Sequence, residues 1–130
     1  MAALSNYAEK LLLDWAMTTG SATRPTAWYV ALYTAAPDDT GGGTEVSGSG
    51  YTRQTVAFSA ASSPGGTTSN SGAVTFTASG GSWGTVSHIG IHDASTAGNL
   101  LWHGSMTASK SVADGDTLEF SIGNIDLTLA

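Results

Sequence analysis

The residues that could do chemistry are concentrated in one stretch of the chain. Trp83-Gly84-Thr85-Val86-Ser87-His88-Ile89-Gly90-Ile91-His92-Asp93-Ala94 is followed at once by Gly98-Asn99-Leu100-Leu101-Trp102-His103-Gly104, and together they hold all three histidines and an aspartate. Three imidazoles could ligate zinc. On a strand, however, His88 and His92 share a face roughly 13 Å apart. That is too far for one ion unless a bulge shortens the path, and His103 would have to come from the next strand. The bland alternative is that each histidine satisfies a neighbour or faces solvent.

Other constellations are weaker. Gly80-Gly81-Ser82-Trp83-Gly84 matches the Gly-x-Ser-x-Gly string, but a nucleophile elbow needs a strand before the serine and a helix after it. Here a glycine turn leads into a strand. Asp38-Asp39, Asp114 and Asp116 sit in glycine-containing loops of the kind that supply oxygen ligands to calcium, without EF-hand spacing. The glutamates Glu9, Glu45 and Glu119 lie in unrelated contexts, so no paired carboxylates for glycoside hydrolysis emerge. Gly41-Gly42-Gly43 lacks the Lys-Ser/Thr of a phosphate loop. Trp15, Trp28 and Trp102 read as core, with Trp83 at a strand entrance, which leaves little for sugar stacking. The sequence therefore assigns no catalytic, cofactor-binding or metal residue and no cofactor.

The elements that would position these residues are mostly strands. Leu4, Ala8, Leu11, Leu12 and Trp15 follow one helical face, predicting a helix over 4–19 capped by Ser5 or Asn6, with Asn6 and Glu9 at capping-box spacing and Gly20 behind it. This short helix needs a sheet or a partner to cover its stripe. Ala27–Thr34 is apolar on both faces and predicts a central strand. Tyr51–Ser59 predicts a strand with Val56 and Phe58 inward and Tyr51 and Arg53 on the other face. Further strands follow at Ala73–Ala78, Val86–His92, Leu100–Met106 and Thr117–Ile122, with a last one through Ile125, Leu127 and Leu129. Within Val86–His92, Ile89 and Ile91 share one face and Val86, His88, Gly90 and His92 the other. Leu100, Trp102, Gly104 and Met106 share a face of the next strand. Asp114-Gly115-Asp116 signals a hairpin. Residues 37–43 and 61–72 read as turn-rich loops, the second exposed. Seven or eight short strands predict an all-β chain, a β-sandwich or jelly-roll-like fold with one short N-terminal α-helix: a single domain over 1–130, helix at 4–19 and sandwich at 26–130.

Composition narrows the function. The 130 residues carry 4 basic and 10 acidic side chains, a formal net charge of −6, and no cysteine. A nucleic-acid binder needs a basic stripe, and an anionic membrane surface needs the same. Neither partner is expected. No thiolate metal site or disulfide framework is available. The chain has no apolar run of membrane-spanning length and no secretory leader pattern. Charged residues make up 11% of the chain, against roughly 25% in an ordinary soluble domain. That suits a protein packed against copies of itself or a larger lattice.

Ordered pieces along the chain carry a family likeness. They are Leu4-Ser5-Asn6-Tyr7-Ala8-Glu9 with Leu11-Leu12-Leu13-Asp14, then Trp28 through Pro37, Gly43-Thr44-Glu45-Val46-Ser47-Gly48 with Tyr51-Thr52-Arg53-Gln54, and Ser69-Asn70. Trp83 through Ile91, Asp93-Ala94, Gly98-Asn99-Leu100-Leu101 and Gly115-Asp116 complete the set. In their order and spacing the chain resembles the small phage virion proteins labelled tail fibre proteins. The resemblance implies a structural virion component without enzymatic activity, and it carries over no site residue. Receptor-binding fibres are commonly long trimers of repeats or coiled coils, and neither is visible here. The sequence expectation is accordingly a capsid decoration or cement protein. It would sit on the capsid surface, bridge major capsid protein subunits and contact copies of itself. The alternative is a tail fibre or tail-associated protein that meets tail proteins or a host receptor. A detachable helix and the loops at 37–50 and 61–72 are the expected contact segments.

Overall fold

A computed structural model describes residues 2–129. In chain order it contains β1 (Ala2–Leu4), α1 (Asn6–Met17), β2 (Tyr29–Ala35), β3 (Thr44–Glu45), β4 (Gln54–Thr55) and β5 (Thr67–Ser69). There follow β6 (Val74–Thr77), β7 (Gly84–His92), β8 (Leu100–Val112), β9 (Thr117–Phe120) and β10 (Asp126–Thr128). Met1 and Ala130, the two ends of the expected domain, lie outside the described residues.

The expectation of an all-β chain with one short helix is met. Six strands form an antiparallel main sheet in the order β1-β8-β7-β2-β3, with β4 also on β2. Two antiparallel ribbons, β5–β10 and β6–β9, make the rest. Val30, Leu32, Val86 and Ile91 of the main sheet pack with Val74 and Phe76 of β6, Leu118 and Phe120 of β9, and Ile125 into one buried cluster. The main sheet thus has a ribbon layer on one face, as in a sandwich. On the other face lie Ala31, Tyr33, Gly90, His92 and Leu100, all buried. A Cβ on Gly90 would meet Leu100 Cδ1 at 2.8 Å and Tyr33 Cε1 at 3.0 Å, so only glycine lets these side chains close over the strand. As expected, β2 is central, and Val30 through Tyr33 are buried on both of its faces.

The helix is shorter than 4–19. Leu4 belongs to β1, and Ser5 is the N-cap, its Oγ accepting from Ala8 N at 3.2 Å. Asn6 is therefore the first helical residue, and the Asn6–Glu9 capping box does not form. Ser5 is also buried and tied to β8: its N–H donates to Leu101 O at 2.9 Å and its hydroxyl to Leu100 O. The helix is not a detachable arm.

Two irregularities in the β7–β8 pair overturn the expected faces. Val86 pairs with Lys110 but His88 pairs with Ser105, so Met106 through Ser109 stand opposite Ser87 alone. The local kink turns Val86 into the core beside Ile91, away from the face assigned to it. Further along, Ile91 pairs with Trp102 but His92 with Leu100, leaving Leu101 as the extra residue. Leu100 is thereby parted from Trp102 and moves to the Gly90–Tyr33 face. A bulge shifts the side-chain period by one, which alternation alone does not reveal.

Other expectations are corrected as well. Tyr51–Ser59 contracts to β4 and an isolated Phe58–Asn70 bridge, and the Tyr51 ring faces the core, stacked on Phe76 and edge-on to Trp83. Asp114-Gly115-Asp116 is a turn between sheets: β8 lies in the main sheet and β9 pairs with β6. Ile122 and Leu129 are exposed. The exposed loop expected at 61–72 holds β5 and a fully buried Asn70. The Asn70 amide donates to Gly72 O at 2.9 Å and Ser121 O at 3.0 Å, and its Oδ1 accepts from Ile125 N at 2.8 Å. With the Asn70 backbone, which donates to Ile125 O and accepts from Gly123 N, this side chain holds the 121–125 loop beside β5.

Asn70→Ala takes the partner from two part-buried backbone carbonyls and from the buried Ile125 amide. We expect a loss of roughly 2–4 kcal/mol in urea unfolding. A loss under about 0.5 kcal/mol would show that the loop is held by something else.

Candidate functional site

The three histidines have three separate partners. His92 is buried, its Nε2 2.8 Å from the Tyr33 hydroxyl, with the two rings stacked. His88 Nδ1 lies 2.8 Å from the hydroxyl of its neighbour Ser87. His103 Nε2 lies 2.8 Å from Asp39 Oδ1. Among the described residues no three His, Asp or Glu side chains come together to hold a metal ion. Asp93 serves its own turn: Oδ1 accepts from Asn99 N at 2.7 Å and Oδ2 from Asn99 Nδ2 at 2.9 Å, across Ala97 and Gly98 in the left-handed region.

The loop aspartates likewise bind backbone. Asp38 Oδ1 accepts from Thr40 N, Thr40 Oγ1 and Gly42 N, and these bonds hold its carboxyl below the ordinary range. Asp114 Oδ1 accepts from Gly80 N and Asp116 Oδ2 from Ala113 N, each at 2.9 Å. Trp83, in the Gly-x-Ser-x-Gly string, is buried and donates Nε1–H to Ser49 O at 3.0 Å. The string is a turn entering β7, not an elbow.

Sequence reasoning passed over a polar network centred on Glu45. Along the outer edge of β2, β3 pairs with Tyr33 and Ala35 and β4 pairs with Tyr29 and Val30, which leaves Leu32 between them. The Leu32 N–H donates to the Tyr51 hydroxyl at 3.0 Å, and that hydroxyl donates to Glu45 Oε2 at 2.7 Å. Arg53 holds Glu45 with two bonds, Nε to Oε2 at 2.8 Å and Nη2 to Oε1 at 2.9 Å. Its Nη1 donates to Ala94 O and Ala97 O in the β7–β8 turn. Burial alone would raise the Glu45 carboxyl, but the bonds from Arg53 and Tyr51 outweigh it and hold it low. Burial and the bond to Glu45 push the Tyr51 phenol up. Burial, with Glu45 nearby, pushes Tyr33 up to about 12. With a neutral phenol and a salt-bridged carboxylate, the arrangement is a clamp. A sequence signal was present: one of only four cations stands eight residues from a glutamate, both in strand-like surroundings.

The largest group of exposed apolar side chains close together in sequence among the described residues is in the C-terminal half of α1. Ala8 is buried and Leu11 and Leu12 are half-buried, but Trp15 on the same stripe is 73% exposed. Leu13 and Met17, on the opposite side, are 61% and 76% exposed. The expected core role of Trp15 is therefore overturned: the stripe runs past the body of the domain. Leu11, Leu12 and Trp15 line an open groove of about 470 Å³ with Ala22, Arg24 and Pro25 of the following loop. The run Leu11-Leu12-Leu13-Asp14-Trp15-Ala16-Met17 is apolar nearly all round, a signal that a search for one stripe overlooks.

Burial, followed by the nearby Arg53, pulls His92 down to about 4. The unfolded chain takes up this proton near pH 6.5. The contribution of neutral His92 is therefore complete above pH 6.5 and is lost as pH falls from 6.5 to 4, on the order of 3 kcal/mol in all. The depressed Glu45 carboxyl acts only below its ordinary range. In urea unfolding between pH 6.5 and 4.5, the midpoint of the wild type should fall and that of His92→Gln should stay nearly level. Equal slopes would remove His92 as the cause.

Several residues within the segments that carry the family likeness act as fasteners: Ser5, Tyr51, Arg53, Asn70, Asp93 and Asp116 bond backbone, and Glu45 joins Tyr51 to Arg53. A family model described as podophage GP4 fiber I protein gp80 matches residues 3–128. No curated protein matches the chain. With nearly its whole length matched, the chain belongs to this podophage fiber protein family and is a phage structural protein.

Proposed function

We propose that this chain is a non-enzymatic subunit of a phage tail fibre, held in the virion by protein–protein contact through α1. The observation that carries this reading is the apolar C-terminal half of the helix, left in water by its own domain. The loop aspartates and Arg53 are engaged in bracing the domain's own turns, and an apolar surface of this kind marks an assembly contact. The family match favours the fibre over the capsid decoration expected from the sequence. That expectation rested on the missing repeats and heptads. Their absence speaks against a shaft, but a joint or tip can be a single small domain.

Quantitative mass spectrometry of purified particles, scaled to the major capsid protein, separates the two positions. A small number of copies, in multiples of three or six, supports the tail. Hundreds of copies would overturn the fibre reading and make the major capsid protein the partner.

A further inference from the structure

The uncovered part of α1 has two faces with different characters. Ala8, Leu11, Leu12 and Trp15, at i, i+3, i+4 and i+7, form one, and the 18–28 segment folds beside it to make the groove, with Arg24 and Pro25 in its lining. Glu9, Leu13 and Met17, at i, i+4 and i+8, form the other, which projects into solvent as a ridge. Lys10 and Asp14 are paired to each other between them. Arg24 and the Glu9 carboxylate have no ion-pair or hydrogen-bond partner among the described residues.

We infer that the Leu13–Met17 ridge of one copy seats in the Leu11–Trp15 groove of a second copy, head to tail, with Glu9 of one copy against Arg24 of the next. This names the partner of the helix surface and rests on the reading of α1 as an assembly contact. Charge decides the pairing. Two grooves face to face would set Arg24 against Arg24 and leave Leu13 and Met17 in water. Ridge into groove covers both faces and joins opposite charges. Area points the same way. A standard interface removes about 800 Å² per partner. One face of a two-turn segment supplies only part of that at each contact, and a head-to-tail array gives every copy two such contacts. A contact between different patches on each copy does not close as a pair. It closes as a ring of three or more, or continues as a filament.

Light scattering on the purified full chain at micromolar concentration is the direct test. The expected mass is at least three times that of the chain. Leu13→Ser with Met17→Ser should shift assembly at least roughly tenfold to higher concentration. Both residues are exposed, so the melting temperature should be unchanged. Glu9→Arg alone and Arg24→Glu alone should each weaken assembly, and the two together should restore it. A monomer, or a dimer insensitive to the ridge substitutions, would overturn the inference, as would failure of the double charge reversal to rescue. A monomeric chain present in a few copies on the tail would sink self-association alone. An assembling chain present in hundreds of copies would sink the fibre position alone.

Discussion

The fold turns on how the outer edge of β2 is closed. β2 is buried on both faces, so its backbone groups need partners on both edges. One edge has the long strand β7. The other has only the two-residue strands β3 and β4, with Leu32 exposed to the gap between them. The Tyr51 hydroxyl fills that gap, accepting from Leu32 and donating to Glu45. Its ring lies on Phe76 and against Trp83, so the residue that completes the sheet edge also belongs to the core between the layers. Arg53 then fastens Glu45 to the β7–β8 turn. A single connected network links the edge of the central strand, the core and the turn that carries Asp93. Such networks are strong when every member is satisfied, and the removal of one partner strands the others.

The same economy runs through the rest of the chain. Ser5 caps the helix and ties it to β8. Asn70 holds the second layer's connection, and Asp38, Asp93, Asp114 and Asp116 each brace a turn. A domain with short strands and many glycines has a high entropy of unfolding per residue to offset. Its polar side chains offset it by satisfying backbone groups that the ladders leave open. Within the stretch that holds three histidines and an aspartate, Asp93 braces its own turn in the same way. Each imidazole has a different neighbour, although the buried His92 ring is bonded through Nε2 alone.

Against this thrift the end of α1 stands out. The domain covers the helix as far as Ala8, partly covers Leu11 and Leu12, and leaves Trp15, Leu13 and Met17 in water. The fastening of Ser5 makes this a fixed projection, unlike the detachable arm expected from sequence. The loop at 37–50 is also less free than its glycines suggest, since Pro37 and Val46 are buried and Thr44–Glu45 pairs with β2. The proposed contact of α1 would thus use a preformed surface, where less ordering is needed on association.

Periodicity by itself determined the fold class and the central strand. Residues 28–34 are apolar on both faces, a pattern that only an interior strand satisfies, and Val74, Phe76, Leu118 and Phe120 alternate as a ribbon over a core must. The ordered motifs determined the family for the same local reason, because a capped helix start or a braced turn needs particular residues at fixed spacing. The faces of β7 and β8 were decided by bulges whose extra residues are chosen by cross-strand packing. β1, β3 and β5 are two or three residues long and exist only because a longer strand or a fastened loop stands beside them. The fate of Trp15 was decided by the extent of the sheet beneath it. A helical stripe states that a residue wants cover; only the tertiary structure shows whether the chain's own surface reaches far enough to provide it.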